Sequence, residues 1–393
     1  MNNSGTISWG ARLPYLKEGD DLVSAVFKGV VDSYKENGLD IADCDIVAIT
    51  ESLVARTQGN YVSFDDISKE VEKKYGFEEI AFTFPITSRN RVAGQLAAVA
   101  AGVKKVYVQL SFPQDEVGNP LIDPLLMFEK NIDYNGVYSV KEFKELVGGP
   151  TIMPFTNVDY LELYENLAPN IEVFLANDPR AVLKYTKNIL IASIYRRKMD
   201  RMILKESGAD KIFDLSEILN EPSSEHGYNP NFGLYGSNKT GNKIKLYPYN
   251  AQNILKSIQD KISEYCGKHV EVMIYGDGAF KDPICGIWEL YDPCISPYYS
   301  NGLEGSPNEV KLKDLIDSGY SDEEIAELIE NNPNKQGALG TTPRRYTDLL
   351  GSLCDLMSGS GDRGTPVVVI KNYFNDKKKA EIMAGEHFII ETK

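Results

Sequence analysis

Short apolar runs separated by longer amphipathic stretches predict that this chain folds as an α/β protein. The runs are bounded by glycine, proline or polar residues, and they are too short for ordinary helices, so they predict buried strands. The predicted strands cover residues 45–50, 80–86, 106–110, 272–275 and 367–370. Residues 22–31 and 250–266 have apolar side chains at helical spacing and predict amphipathic helices, the first of them capped by Asp20 or Asp21.

A further long helical stretch is predicted over residues 179–207. Four basic residues lie near its end: Arg196, Arg197, Lys198 and Arg201. Cations are favourable at the C-terminal end of a helix because they complement the helix dipole. We interpret this cluster as a solvated basic face at that end of the helix.

Acidic residues follow the predicted strand at 272–275. Asp277 lies in the glycine-flanked turn that ends the strand, and more carboxylates follow: Asp282, Glu289 and Asp292. Carboxylates at and beyond the end of a buried strand are where an α/β protein places ligand and metal chemistry. The alternative interpretation is a strand followed by a polar surface loop.

The turn after the predicted strand at 80–86 has an unusual charge pattern. Ser88 is a good N-cap for a helix that continues into the small-residue stretch at 92–102, and Arg89 and Arg91 are predicted to lie in the first turn of that helix. Two cations there oppose the helix dipole unless an anion lies nearby. We therefore expect this turn to bind a substrate phosphate or carboxylate, with solvated arginines as the alternative.

The composition and charge of the chain argue against some classes of binding partner. The chain has 393 residues, 42% of them apolar, and 42 basic against 57 acidic residues give a formal net charge of −15. An acidic protein is a poor candidate for non-specific binding of nucleic acid or anionic membranes. No apolar run reaches the roughly 20 residues of a membrane span, and the first residues lack the features of a signal peptide. We expect neither nucleic acid nor a membrane as a partner.

The cysteines and histidines indicate the redox state of the compartment and the type of metal ion that the protein could bind. The five cysteines form no CxxC pair, which fits reduced thiols and predicts a cytoplasmic protein. The three histidines are too few and too scattered for a zinc site. Any metal would be a hard cation on oxygen ligands.

Five segments carry motifs that occur in the same order in one known family. They are LPYLKEGDDL at 13–22, DIVA to ARTQG at 45–59, FGLYGSN at 232–238, IYGDG at 274–278 and CDLMSGSGDRGTPVVV at 354–369. The third is similar to the family's AGVDxSN loop and the fourth to its strand ending in SDT, and the fifth aligns without a gap on ADLVMGQxxxGxPVVV. The chain thus resembles the coenzyme F420-0:L-glutamate ligase (gamma-glutamyl ligase) family.

This resemblance implies an enzyme that binds GTP or ATP with Mg²⁺ or Mn²⁺ and joins glutamate to a carboxylate acceptor. The implied chemistry is activation of the carboxylate by phosphoryl transfer, followed by attack of an amine on the acyl phosphate. The implied partners are small molecules, namely nucleotide, amino acid and acceptor, and the implied assembly is a homodimer.

The resemblance also implies site residues. The nucleotide-binding positions would be Pro14, Tyr15, Leu16, Lys17, Ala55, Arg56, Asn238, Ser358, Gly359, Ser360 and Gly361. The metal positions would be Asp277, Gly278 and Ser360. Arg56, with Ser52, is available for a phosphate on the residue pattern alone, although an arginine is more often a surface charge.

The chain departs from the family pattern at its metal positions. Tyr235 stands where the family has its first metal-binding aspartate, Ser360 where it has a glutamine, and Gly278 where it has a threonine. Three carboxylates could substitute: Glu51, Asp282 or Asp362. Otherwise one metal is lost, or the chain is no longer a ligase.

The resemblance predicts a gamma-glutamyl-ligase-like α/β fold with an additional inserted α/β unit. Its divisions are a ligase-like N-terminal segment at 1–75, the inserted unit at 76–226 and a ligase-like C-terminal segment at 227–393. Two alternatives to a ligase remain open. One is a regulatory protein that binds a nucleotide or metabolite without turnover, and the other is an enzyme whose inserted unit carries a different reaction.

Overall fold

A computed structural model describes residues 5–88, 92–153, 157–235, 238–276, 280–281, 288–289, 296, 298–307, 312–331, 345–358 and 364–385. The strands within these ranges are β1 (Ile7–Ala11), β2 (Ile46–Thr50), β3 (Tyr61–Ser63), β4 (Glu79–Thr83), β5 (Lys105–Leu110), β6 (Val137–Ser139), β7 (Ile152–Met153), β8 (Val158–Asp159), β9 (Ile171–Ala176), β10 (Asn188–Ile191), β11 (Lys211–Asp214), β12 (Asn238–Thr240), β13 (Lys243–Lys245), β14 (Glu271–Tyr275), β15 (Phe280–Lys281), β16 (Trp288–Glu289), β17 (Tyr298–Tyr299) and β18 (Val367–Lys371).

The α-helices within the same ranges are α1 (Leu22–Glu36), α2 (Glu51–Thr57), α3 (Phe64–Tyr75), α4 (Val92–Ala101), α5 (Leu125–Glu129), α6 (Val140–Val147), α7 (Tyr160–Glu165), α8 (Arg197–Glu206), α9 (Gln252–Cys266), α10 (Leu312–Asp317), α11 (Asp322–Asn331), α12 (Tyr346–Ser358) and α13 (Asp376–Ala384). The α/β class predicted from the sequence is confirmed.

The first sheet has the strand order β1-β18-β2-β14-β17. β2 and β14 run parallel, and the other pairs are antiparallel. The central strands β2, β14 and β18 are mainly apolar because α1 and α9 cover one face of the sheet and α12 covers the other. The predicted strands at 45–50, 272–275 and 367–370 are confirmed. Asp21 caps α1, since its carboxylate accepts the N–H of Ser24 at 3.0 Å.

The second sheet lies between residues 79 and 214 and has the order β11-β10-β4-β5-β9-β6. Its strands are parallel except for β6, which pairs antiparallel with β9 at the edge. α3 and α4 cover one face of this sheet, and α8 covers the other. The strands predicted at 80–86 and 106–110 and the helix predicted at 92–102 are confirmed as β4, β5 and α4.

The chain path through the second sheet reverses between β4 and β10. From β4 it moves outward through β5 to β9, and it then returns to place β10 and β11 on the other side of β4. The helices that follow β4 and β10 therefore lie on opposite faces. The carboxyl ends of two such strands form a topological switch point, where open α/β sheets bind their ligands.

The prediction of one long helix over residues 179–207 is wrong. The structure has a 3-10 helix at Pro179–Lys184, then β10, then α8. Ile189, Leu190 and Ile191 are fully buried between β4 and β11. Covered on both faces, an apolar run with two β-branched residues is more stable as a central strand, whatever its local helical pattern.

The interpretation of the basic cluster changes with this correction. Arg196 and Arg197 begin α8 instead of ending a longer helix. The Arg196 guanidinium pairs with Asp200, whose carboxylate is fully buried, at 2.9 Å. Arg201 pairs with Asp214 at 2.9 Å and also contacts Glu217. These two arginines are partners of specific carboxylates and do not form a solvated face.

A small three-stranded sheet of order β12-β13-β3 connects the two large sheets. Asn60, just before β3, anchors it, because its Nδ2 donates to the carbonyl oxygens of Tyr247 at 2.7 Å and Tyr228 at 3.0 Å. α3 follows β3 and packs in the same apolar cluster as the second sheet. The division of the chain at residues 75 and 76 stays a prediction.

Candidate active site

The ends of several strands meet at one edge of the first sheet. Thr50 and Tyr275 pair where the parallel strands β2 and β14 end. Ala11 and Val367 pair where β1 ends and the antiparallel strand β18 begins. The segments that follow β1, β2 and β14, and the one that precedes β18, therefore leave the sheet at the same edge.

Backbone hydrogen bonds hold these segments together. The Thr50 N–H donates to the Pro366 carbonyl oxygen at 3.0 Å, and the Leu13 N–H donates to that of Gly364 at 3.4 Å. The Thr365 hydroxyl donates to the carbonyl oxygen of Ser358, the last residue of α12, at 3.1 Å. Segments far apart in the sequence thus become neighbours.

Lys245 brings a buried positive charge to this edge. Its Nζ donates to Ser52 Oγ at 2.6 Å and lies 3.7 Å from Glu51 Oε1. The side chains of Lys245 and Glu51 are 8% and 5% exposed. Glu51 and Ser52 begin α2 directly after β2, and Lys245 belongs to β13. The contacts of Lys245 with these two residues therefore connect β13 to the first sheet. An ammonium group beside a hydroxyl is suited to bind an anionic oxygen.

Arg56 adds a second cation nearby. Its guanidinium lies over the ring of Tyr15, 4.7 Å from the centroid. The Gly19 N–H donates to the Thr57 carbonyl oxygen at 3.0 Å, which holds the two predicted nucleotide-binding segments against each other. Burial raises the pKa of Tyr61, and the neighbouring Arg56 opposes that rise. Tyr15 is 75% exposed, so its ring is accessible to a ligand.

The other predicted nucleotide-binding residues of these two segments differ in how exposed their side chains are. Pro14 and Lys17 are exposed, whereas Leu16 and Ala55 are buried, the latter completely. Leu16 packs in the core between α1 and α9. Leu16 and Ala55 can therefore contact a ligand through the backbone only.

Asn238 also belongs to this neighbourhood. It pairs with Lys245 in the β12–β13 ladder, directly opposite the residue whose ammonium group reaches Ser52. The remaining predicted residues lie outside the described residues: Arg89, Arg91, Asp277, Gly278, Asp282, Asp292, Gly359, Ser360, Gly361 and Asp362. Their roles stay predictions.

A comparison with known families bears directly on this edge. A family model described as F420-0:gamma-glutamyl ligase matches residues 10–372, a range that includes the second sheet and all of the first sheet except the first three residues of β1. The chain belongs to this family. The resemblance seen in five sequence segments is therefore confirmed. A search among curated proteins finds no match.

In this family member, Tyr235 has a structural role at the position of the expected metal aspartate. It is 3% exposed, and its hydroxyl donates to the Ser193 carbonyl oxygen beyond β10 at 2.9 Å. Burial raises the pKa of Tyr235 well above its ordinary value, so the phenol stays neutral. A buried neutral phenol bound to a backbone carbonyl is no substitute for a carboxylate ligand.

The oxygen donors at the edge are still of the type that a hard cation prefers. Among the described residues, no group of three or more His, Cys, Asp or Glu side chains is arranged to hold a metal ion. Glu51 is a described carboxylate at this edge. Buried Gly276, next to the end of β14, leads directly into Asp277. Carboxylates are the ligands that Mg²⁺ and Mn²⁺ prefer, but one described carboxylate, itself beside the Lys245 ammonium, does not make a set of ligands, and the metal at this edge stays a prediction.

The predicted anion-binding turn of the second sheet is described up to Ser88. The N–H and hydroxyl of Thr87 donate to the buried Asp115 carboxylate at 3.1 and 3.2 Å. The Ser88 N–H donates to the hydroxyl of Tyr164 at 2.9 Å. These bonds fix the loop that leads to the turn. The predicted capping role of Ser88 involves residues 89–91, which are not described, and it stays a prediction.

Sequence reasoning missed Lys245 and Asp115. A lysine within a short strand is usually a solvated side chain, and only its pairing with Ser52, 193 residues away, shows otherwise. Asp115 was visible only as part of a polar loop. The signal available for Lys245 was its nearness in sequence to Asn238.

Within the described ranges, no helix combines the length and apolar character that a membrane crossing requires.

Proposed function

We propose that this family member is an amide ligase, dependent on a nucleotide and a divalent metal, that joins glutamate to a carboxylate acceptor through an acyl phosphate. The observation that carries the proposal is the meeting of the 13–19, 50–57 and 364–366 segments with Lys245 at one edge of the first sheet. The family match supports ligase chemistry. Acyl-phosphate formation needs fixed cations around the phosphates, since catalysis of phosphoryl transfer is mainly positioning and charge stabilisation.

The described side chains support distinct parts of nucleotide binding. Lys245 and Arg56 would neutralise phosphate oxygens, with Ser52 donating a hydrogen bond. Tyr15 would provide an exposed aromatic surface beside them. The co-substrate would be GTP or ATP.

A divalent cation would be held by Asp277, with Gly278 and Ser360 at neighbouring positions and Glu51 as an additional carboxylate. When bound, the ion would spread the negative charge that develops on the transferring phosphoryl group. The acceptor would be held by the second sheet, through Ser88, Arg89 and Arg91. We further propose a cytoplasmic homodimer with small-molecule partners only, and light scattering at micromolar concentration that gives the mass of a monomer would contradict the dimer.

The function can be tested by substrate-dependent nucleotide cleavage. Purified protein is incubated with F420-0, glutamate, GTP or ATP, and Mg²⁺ or Mn²⁺, and the diphosphate released is measured together with the glutamylated product. Arg56→Ala should lower nucleotide affinity, because it removes a cation from the site. The exposed Arg180, which is 62% exposed and pairs with Asp178, provides the matched control Arg180→Ala. Equal nucleotide affinity in the two variants would contradict the assigned site.

One observation favours a second candidate, a regulatory protein that binds a nucleotide or metabolite without turnover. Tyr235 replaces a family metal ligand with a buried neutral side chain. Loss of one metal would weaken catalysis more than it weakens binding. A nucleotide-induced thermal shift without any diphosphate release, across the substrates above, would support this candidate over the ligase.

A further inference from the structure

Two consecutive acidic residues after β5 hold the two loops of the switch point in the second sheet. Asp115 accepts hydrogen bonds from Thr87, in the loop that follows β4. Glu116 accepts hydrogen bonds from the loop that follows β10, formed by Ile194 and its two successors. The loops on both sides of the switch point are thereby attached to one dipeptide.

The Glu116 carboxylate occupies a group of three consecutive backbone amides. The Ile194 N–H donates to Oε1 at 2.5 Å, and the N–H groups of Tyr195 and Arg196 donate to Oε2 at 3.2 Å each. These amides directly precede α8, a helix of 10 residues, at the positive end of its dipole. Converging amides in this position form an anion-binding site.

The Arg196 side chain does not take part in this contact. Its guanidinium pairs with Asp200 at 2.9 Å and lies over the Phe84 ring, 4.1 Å from the centroid. Within the part of the chain that the structure describes, the hydrogen bonds to Glu116 thus come from these backbone amides. Burial raises the pKa of the Glu116 carboxyl although three amides oppose that rise. The amides are therefore held by a carboxylate of the chain itself, and any anionic ligand must compete with that carboxylate for them.

A second observation marks this edge of the sheet as a ligand position. Thr83 and Gln109 are paired near the ends of β4 and β5, and both are fully buried. Within the described residues, Thr83 Oγ1 and Gln109 Oε1 have no hydrogen-bond partner. Thr83 lies on the face covered by α8, because Ala81, two residues earlier in the strand, packs with Leu204 of that helix. Buried polar atoms of this kind are rare and call for an explanation.

We propose that the amides of residues 194–196 bind the phosphate or carboxylate group of a small-molecule ligand, and that Glu116 occupies this position until the ligand displaces it. The ligand chemistry follows from the donors, since three N–H groups at a helix N-terminus recognise an oxyanion. Thr83 pairs with Ile191, and its carbonyl oxygen accepts the Ala192 N–H at 3.0 Å, so it lies where the loop that carries these amides begins.

This site lies next to the segment that reaches the first sheet. Gln95 of α4 donates to the Leu234 carbonyl oxygen at 2.7 Å, and Tyr235 donates to that of Ser193 at 2.9 Å. We further assign the acceptor of the ligase reaction as this ligand, an assignment that rests on the proposed function, whereas the anion site does not depend on it.

The test uses the full-length, isotope-labelled protein and backbone amide NMR, with inorganic phosphate and acetate as probes at matched ionic strength. In Glu116→Ala, the amide resonances of residues 194–196 should shift with saturation. The half-saturating concentration should be about tenfold or more below that of the wild type, because the carboxylate no longer competes for the amides. A response to phosphate alone identifies a phosphate ligand, and a response to acetate alone identifies a carboxylate.

Glu304→Ala is the matched control, since this half-buried carboxylate accepts the Tyr299 hydroxyl at 2.7 Å in the first sheet. It should leave the wild-type response unchanged. If Glu116→Ala does not fold, Glu116→Gln replaces it, because the amide side chain removes the competing charge at the same volume. Absence of saturable shifts at 194–196 with both probes, or equal half-saturation in wild type and variant, overturns the proposal.

A separate measurement distinguishes this result from the proposed function. The thermal shift induced by GTP and Mg²⁺ reports on the first sheet, and Glu116→Ala should retain it. A wild-type protein that shows no nucleotide shift would refute the proposed function and leave the amide result standing.

Discussion

Removal of the Asp115 carboxylate should destabilise the second sheet more than any surface carboxylate does. Asp115 is 6% exposed and has no ion-pair partner within the described ranges. It accepts five hydrogen bonds, from Thr87, Val117 and Asn119, at 2.9 to 3.2 Å. Asp115→Ala removes all five acceptor contacts without filling the space.

The size of the effect follows from the donors left behind. Four of them belong to buried residues: the N–H and hydroxyl of Thr87, and the N–H and Nδ2 of Asn119. A buried donor left unsatisfied costs about 1–3 kcal/mol, so the loss in the free energy of unfolding should be about 3 kcal/mol or more. Asp115→Asn keeps one carbonyl oxygen and should lose roughly half of that.

The assay is urea unfolding followed by circular dichroism, together with amide hydrogen exchange on peptides covering residues 84–88 and 115–119. The control is Asp123→Ala, because exposed Asp123 accepts only a local bond from the Leu125 N–H, at 2.9 Å. That change should cost about 1 kcal/mol or less. If Asp115→Ala costs no more than the control and leaves exchange in both peptides unchanged, then Asp115 does not order these loops and the reasoning is refuted.

Three other predictions follow. Asp277→Asn should abolish the metal-dependent thermal shift with nucleotide at unchanged circular dichroism, and an undiminished shift would remove Asp277 from the metal site. Changing Arg89 and Arg91 together to Gln should weaken substrate binding strongly and leave the melting temperature unchanged or higher, whereas a lower melting temperature with full activity would make them structural. A hydrogen bond to Glu271 at 2.8 Å raises the pKa of His269 above its ordinary value of 6.5. The stabilisation that protonated His269 provides is therefore complete below about pH 6.5 and is lost as the pH rises through the folded-state pKa. The melting-temperature difference between wild type and His269→Gln should shrink with rising pH, and a constant difference would contradict this.

Local sequence pattern was sufficient for the three central strands of the first sheet, β2, β14 and β18, but it missed the edge strands β1 and β17. The central strands are covered on both faces and therefore appear as mainly apolar runs, and Glu51 and Ser52 follow one such run directly. For that reason, the position of Glu51 and Ser52 at the carboxyl end of a strand could be predicted from the sequence. The motif order then indicated which segments meet there, although it gave no contact between them.

Contacts between distant segments could not be read in the same way. Lys245 and Ser52 are 193 residues apart, and Glu116 and Ile194 are 78 residues apart. Both contacts depend on strand order, which hydrophobic periodicity does not encode. The strand β10 was missed for a related reason, since only its neighbours in the second sheet make the extended form of Ile189–Ile191 more stable than a helix.

The contacts of Tyr235 give a physical reason for a tyrosine at a position where the family pattern has an aspartate. One stretch of chain contacts both large sheets: the Leu234 carbonyl and the Tyr235 hydroxyl bond to α4 and to the loop after β10, and Lys245 reaches Ser52 at the first sheet. An aspartate side chain at position 235 is shorter than tyrosine, and its ionised carboxylate has no proton to donate to the Ser193 carbonyl oxygen, so it could not make this bond. At the position where the resemblance predicts a metal-binding aspartate, the tyrosine thus attaches the segment that carries Lys245 to the loop after β10, at the switch point of the second sheet.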